Sequence, residues 1–354
     1  MPDDLITVSA PALPDRVDLD TLATAEGQGE QVVAAMAAQI RDRSTRPNTA
    51  AAYGQDRTRW ERYCTIAGLN PNVPSADALT VYAAWLIANP GAGVKHAAPA
   101  TLRRRVHGVV ASWHAQAATV PHRVGVEAMQ AIAAHERWLA DHHLDAGRGQ
   151  APLLTVDGLQ RLVRTCPTTQ AGLRDRALLL LGFGIAARRS ELAGLAASDI
   201  TADYHGGALR GVVVRVRSSK TGQGRTVPIA RGQDRATCPA IAWLRWTQAS
   251  GISCGPALRR VDRHDHMRED GLSAAAVGEV IRRVGQRTGD ADLAALTGHS
   301  LRAGLATAAR RAGHDVQAIA RVGGWDTHSR ELAKYMRIAD QWDRLDNATV
   351  NIGL

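Results

Sequence analysis

Phenylalanine occurs once, at Phe183, and aromatic residues together make up only 4% of the 354 residues. An interior so poor in large rings must be filled by alanine and leucine, which favour helices. Lysine is scarce too. Lys95, Lys220 and Lys334 are the only three, so 40 of the 43 basic residues are arginine. That skew, with abundant Ala and Gly, is what GC-rich coding produces. The net charge of +9 therefore fits a polyanionic partner and a composition bias about equally. The four cysteines, Cys64, Cys166, Cys238 and Cys254, form no C-x-x-C pair, which argues against disulfides and zinc alike. No apolar run approaches the ~20 residues of a membrane span. Met1-Pro2-Asp3-Asp4 lacks the basic start of a signal peptide. The expectation is a protein of the reducing cytoplasm with no membrane association.

What is present is helical periodicity. Residues 1–28 mix Pro, Asp, Thr and Gly without a period and are expected to be a disordered arm. Residues 29–144 read as one all-helical domain. Helices are expected over 30–43, 49–67, from Ser75 as N-cap to just before Asn89-Pro90, over 101–117 and over 126–142. Residues 145–152 read as a polar linker. The second domain, 153–338, opens with helices near 157–165, 173–183 and 191–197. The period then changes. Val212, Val214 and Val216 fall on one face of an expected strand, with Arg215 and Arg217 on the other. A second short strand is expected over Arg225–Ile229, with the turn Ser218–Gly224 between them, making a β-hairpin. From Cys238 onward helix is expected again. Residues 339–354 form a polar tail that carries Trp342, Leu345, Val350 and Ile352. The expected fold class is mainly α: an N-terminal helical domain and a C-terminal α+β domain with a small β-hairpin or sheet.

Five short elements of the second domain carry chemistry: Arg188-Arg189-Ser190-Glu191, Ser219-Lys220-Thr221, His299-Ser300-Leu301-Arg302, Gly323-Gly324-Trp325 and Lys334-Tyr335. Arginine presents a planar, always-charged fork that matches phosphate oxygens. Glu191, three residues after Arg188, can hold that guanidinium in place. His299 and Arg302 share one side of an expected helix start, a natural anion site. The Trp325 indole can only donate. The Tyr335 phenol, ordinarily of pKa about 10, is a poor nucleophile unless cations and donors surround it. Each element alone has a blander reading as an ion pair, a core indole or a half-buried phenol. Their order and spacing together are specific. Two other clusters read as bland. His264-Asp265-His266 is expected to be a solvated loop, with no metal, and Arg161, Arg164, Arg174 and Arg176 a basic face along DNA or solvent.

Those five elements resemble the box pattern of the tyrosine recombinase (phage integrase) family, most closely its Cre-like members, over about residues 47–345. The resemblance implies a site-specific recombinase that cleaves and rejoins DNA through a 3′-phosphotyrosine, with no cofactor, metal or ATP. It implies that Tyr335 is the nucleophile, Arg188 and Arg302 the phosphate clamp, and Lys220 the general acid. His299 and Trp325 would be further phosphate contacts, and Glu191 an acidic support. The helical first domain resembles the family's core-binding domain, with Arg103, Arg104, Arg105 and Arg57 as DNA contacts. The implied partner is double-stranded DNA with an inverted-repeat site. The implied assembly is a homo-tetramer on DNA, a monomer or weak oligomer without it, with the C-terminal tail docking on a neighbouring protomer. A bacterial, phage or plasmid origin and association with the nucleoid follow from the same resemblance. Rival readings are a catalytically silent DNA-binding protein and a telomere resolvase or type IB topoisomerase. One departure is the ten-residue interval from Trp325 to Tyr335, one residue longer than is usual in the members it resembles.

Overall fold

Ser75 sets a helix start by local chemistry: its backbone is extended and its hydroxyl accepts the Ala78 N–H at 3.2 Å. Pro99 does the same work by shape. Its fixed φ suits the first helical position, so the next helix begins two residues before the expected Thr101. The computed structural model describes residues 47–116, 118–147, 152–217 and 224–340. The expected arm at 1–28, the helix at 30–43, the turn residues 218–223 with Lys220, and the tail from 341 lie outside the described residues. The chain divides into two units, Met1–Gly149 and Gln150–Leu354.

The first unit contains α1 (Pro47–Ala67), α2 (Ala76–Ala88), α3 (Pro99–Ala115) and α4 (Val126–Asp141). Its core concentrates the chain's few aromatics: Trp60, Tyr63, Tyr82 and Trp113 pack with Leu79, Leu102, Val106 and Ile132. Trp60 meets Tyr82 edge-on at 5.1 Å between ring centroids. Both tryptophans donate their indole N–H to the Pro71 carbonyl, at 3.0 and 2.9 Å. The two buried indoles thus keep their polar ends satisfied.

The second unit begins with α5 (Val156–Arg164), α6 (Gln170–Gly184) and the one-turn α7 (Arg189–Ala193). Then come β1 (Ile200–His205), β2 (Ala208–Val216), β3 (Arg225–Ala230) and α8 (Pro239–Ser250). The strand pair β4 (Arg259–Val261) and β5 (Met267–Gly271) follows, then α9 (Ala274–Arg287), α10 (Ala291–Ala294), α11 (Gly298–Arg311), α12 (Val316–Gly323) and α13 (Arg330–Asp340). Apolar on nearly all sides from Ala177 to Phe183, α6 runs through the core. The antiparallel sheet has β2 at its centre, with Val214 opposite Ile200 on one side and Val227 on the other. Val212, Val214 and Val216 are buried, and Arg215 and Arg217 turn outward onto Asp199 at 3.3 and 2.7 Å.

Three element-level expectations are corrected. Helix was expected up to Ala197, but α7 stops at Ala193 and β1 follows instead. Asp199 accepts the Ala196 N–H at 3.0 Å, and Gly206 and Gly207, both at positive φ (56° and 77°), turn the chain from β1 into β2. Helix was also expected throughout the region after Cys238, where β4 and β5 pair. Between them Asp265, at φ 63°, accepts the Gln170 and Ala171 N–H groups at 2.8 and 2.9 Å. The His264-Asp265-His266 loop therefore caps α6. The expected basic face is dismantled as well. Arg174 is buried and donates to Asp175 Oδ1 at 2.9 and 2.6 Å, and Arg283 reaches Asp175 Oδ2 at 2.9 Å. Arg176 donates to the Val163 and Cys166 carbonyls, and Arg161 pairs with Asp290. Arg164 is exposed.

Candidate active site

Helix α11 starts at a capping box. Thr297 accepts the His299 N–H at 3.2 Å and Ser300 Oγ accepts the Thr297 N–H at 3.1 Å. This fixes His299 and Arg302 in the first turn. Arg302 is 1% exposed, so its charge must be held by the fold. Its Nη1 donates to the Ala186 carbonyl at 2.8 Å and the Gly323 carbonyl at 2.6 Å. Ala186 sits at φ 49°, a conformation that costs a non-glycine residue on the order of 1 kcal/mol. Arg302 Cζ lies 3.8 Å from the centroid of the Trp325 ring. Burial, and then the Arg188 charge, push the Arg302 pKa down to about 10, which still leaves it protonated at neutral pH. Its Nε and Nη2 are buried and have no hydrogen-bond acceptor among the described residues, and Trp325 Nε1 is in the same state.

The two glycines before Trp325 are there for space and for φ. A Cβ on Gly323 would stand 1.9 Å from the indole, and Gly324 closes α12 at φ 62°. Trp325 can then fold back against the helix end, where its ring lies 5.8 Å from Tyr335, edge to face.

Tyr335 projects from α13 and is 2% exposed. Its hydroxyl lies 2.6 Å from His299 Nε2 and donates to Glu331 Oε1 at 3.1 Å. The same carboxylate oxygen is 3.7 Å from Arg302 Nε and 4.0 Å from His299 Nδ1. Burial, with Glu331 beside it, pushes the Tyr335 pKa well above its ordinary value. Partial burial lowers that of His299, Arg302 and Lys334 add to the fall, and Glu331 opposes it. His299 is therefore neutral at pH 7, able to accept a proton at Nε2 when that nitrogen is the bare one.

Arg188 is the N-cap of α7. Its Nη1 donates to Glu191 Oε1 at 2.7 Å, and its backbone N–H donates to Oε2 at 3.0 Å. Arg225 donates to that Oε2 at 2.8 Å. Burial raises the Glu191 pKa, but the hydrogen bonds from Arg225 and Arg188 outweigh it and hold the carboxyl below its usual value.

Tyr335, His299, Arg302 and Trp325 thus meet directly. Arg188 acts on Arg302 through space, and Glu191 holds Arg188. Lys220 lies outside the described residues. Of the four arginines expected to contact DNA, Arg57 is turned onto its own domain. It donates to Glu61, Asn72, the Pro71 carbonyl and Ser112. Arg103 pairs with Glu136 and Arg104 with the buried Asp56. Arg105 is half-buried, and desolvation with the nearby Arg59 charge lowers its pKa. Sequence reasoning missed two residues. Glu331 stands one helical turn before Tyr335, a spacing that could have found it. Arg225 was read only as a strand residue, and nothing local marks its partners.

Residues 152–341 match the phage integrase family. An integrase/recombinase XerD homolog of Selenomonas ruminantium is 28% identical over 285 residues, which cover 78% of this chain and 77% of that protein. The tyrosine recombinase XerA of Thermococcus kodakarensis is 32% identical over 166 residues, 47% of this chain and 51% of that one. Among solved structures, lambda integrase bound to DNA superposes with a TM-score of 0.53 at 15% identity, covering 90% of this chain and 98% of that one. An integrase of the transposon Tn1549 in complex with transposon end DNA gives 0.52 at 15% identity, over 88% and 98%. These two likenesses concern the fold. The family match spans more than half of the chain and includes Arg188, Glu191, His299, Arg302, Trp325 and Tyr335. The chain belongs to the phage integrase family and is a tyrosine-type site-specific recombinase.

Proposed function

We propose that this chain cuts and rejoins double-stranded DNA with Tyr335 as the nucleophile. The observation that carries the reading is the Tyr335 hydroxyl, 2.6 Å from His299, beside an arginine whose buried Nε and Nη2 lack a hydrogen-bond acceptor among the described residues. A phosphodiester supplies the acceptors those donors lack. With Nε2 of neutral His299 as the bare nitrogen, the hydroxyl turns its one proton from Glu331 to His299, and Tyr335 Oη attacks phosphorus as that proton passes to Nε2. The bond from phosphorus to the 5′-oxygen breaks, and Lys220 protonates the leaving oxygen. The product is a 3′-phosphotyrosine and a free 5′-hydroxyl. Arg188 and Arg302 neutralise the charge gathered on the nonbridging oxygens. One phosphoester replaces another, so bond energy is conserved and the reverse attack by a 5′-hydroxyl rejoins a strand without ATP. The cations of the chain itself do the work a metal would do.

The first unit serves as the core-binding domain on this reading, and inverted-repeat sites paired in a homo-tetramer complete the reaction. The family membership and the fold shared with lambda integrase, solved bound to DNA, support a DNA substrate.

The test starts from random DNA. A duplex is selected from a randomised pool by binding to the full chain, and two copies are placed in one plasmid. Recombinant product is expected in EDTA without nucleotide. A duplex bound specifically but never recombined would favour the silent DNA-binding alternative. Product that required a metal or ATP would contradict the mechanism.

A further inference from the structure

We propose that Arg225, the first residue of β3, is a positioning residue that holds Arg188 and Arg302 together for one phosphate. This rests on the strand-cleavage reading above. The Arg225 side chain is 8% exposed, and its donors reach three places. Nε donates to the Val322 carbonyl at 2.8 Å, and Nη2 donates to the Ile185 carbonyl at 3.1 Å and to Glu191 Oε2 at 2.8 Å.

Each acceptor adjoins part of the arginine clamp. Ile185 precedes Ala186, and Val322 precedes Gly323; the carbonyls of Ala186 and Gly323 are the two acceptors of Arg302 Nη1. Glu191 gives its other oxygen, Oε1, to Arg188. One planar guanidinium therefore ties the end of α6, the end of α12 and the carboxylate of α7 to a strand. Its rigidity is transmitted to both seats at once. Gly324 belongs to the same fit, because a Cβ there would stand 3.2 Å from Arg225 Nη1.

Lysine cannot replace this group. A single ammonium is a point charge, and it cannot reach three acceptors spread around a fork. The alternative is that Arg225 is a buried ion pair serving stability alone. The two readings differ in what happens to the charge on the scissile phosphate. If Arg225 aligns the clamp, its loss should hurt most where that charge needs neutralising.

The experiment uses the full chain and a nicked half-site duplex selected from a randomised pool. Single-turnover adduct formation is measured with three scissile linkages. One is an ordinary phosphodiester. One is a neutral methylphosphonate, in which a methyl group replaces a nonbridging oxygen. One carries sulfur in place of the 5′-bridging oxygen and leaves as a thiolate without protonation. Arg225→Ala should slow cleavage of the phosphodiester by roughly 10- to 100-fold, as loss of an outer-shell partner does elsewhere. The methylphosphonate should recover most of that loss, as it should for Arg188→Ala. The sulfur linkage should not recover it, although it should rescue Lys220→Ala. Arg225→Lys should behave like Arg225→Ala, and it carries the test if the alanine variant does not fold.

A second readout needs no DNA. The Nε–H signals of Arg188 and Arg302 in ¹⁵N spectra of the free protein should shift in Arg225→Lys, while that of Arg174 stays put. Equal slowing on all three linkages, full activity in both variants, or unmoved Arg188 and Arg302 signals would overturn the proposal. A wild type that binds its duplex and forms no adduct would instead overturn the strand-cleavage reading, and the spectra would still decide the positioning role.

Discussion

At the residue scale the site is defined by an intruder. Glu331 sits 3.7 Å from Arg302 Nε and accepts from the Tyr335 hydroxyl. On the proposed reading, a phosphate held by Arg302 would lie beside this carboxylate. Glu331→Gln removes the repulsion and should tighten duplex binding by roughly 0.5–1 kcal/mol, the scale of a half-exposed charge pair. Affinity measured at fixed salt checks it, and unchanged or weaker binding would count against the placement. His299 gives the pH dependence. Its pKa is depressed, so on the proposed mechanism it would accept the Tyr335 proton only above that value, and cleavage should rise with pH along an acid limb lying below the ordinary histidine value of about 6.5. Glu331 raises the His299 pKa, so Glu331→Gln should move that limb lower still, and His299→Gln should abolish it. Stability has the same sign. Below about 6.5 the unfolded chain binds the extra proton first, so this group lowers stability as pH falls through the window between the two values.

Much of this was legible because side-chain chemistry survives in the spacing of Arg188 and Glu191, of His299 and Arg302, and of Trp325 and Tyr335. The carbonyls of Ala186 and Gly323 were not, since any residue type supplies a carbonyl.

At the element scale, the long helices declared themselves by periodicity and β2 and β3 by alternation around a turn, whereas β1, β4 and β5 did not. In β5, Met-Arg-Glu-Asp-Gly is a surface strand with no buried face to impose alternation. Helix α6 was legible as apolar from Leu173 to Phe183, but the charges in its first turns were not legible as core. Asp175 is fully buried between Arg174 and Arg283. Asp175→Ala would leave the buried Arg174 charge unpaired, and it should cost about 3–5 kcal/mol. Urea unfolding of the variant measures this. A loss below about 1 kcal/mol would mean that the pair contributes no more than an exposed one.

At the scale of the whole molecule, net charge is a poor guide to where DNA lies. Arg57, Arg103, Arg104, Arg161 and Arg174 all answer a carboxylate of their own unit. Each such pair removes one cation and one carboxylate, so the +9 of the sequence is unchanged by the pairing and does not say which arginines are left for a polyanion. What unifies the account is one covalent bond. The most direct measurement incubates the full chain with a nicked form of its selected duplex and resolves the product on a denaturing gel. A protein–DNA adduct should form with the wild type, map to Tyr335, and vanish in Tyr335→Phe while duplex binding persists. An adduct that survives in Tyr335→Phe would contradict the account.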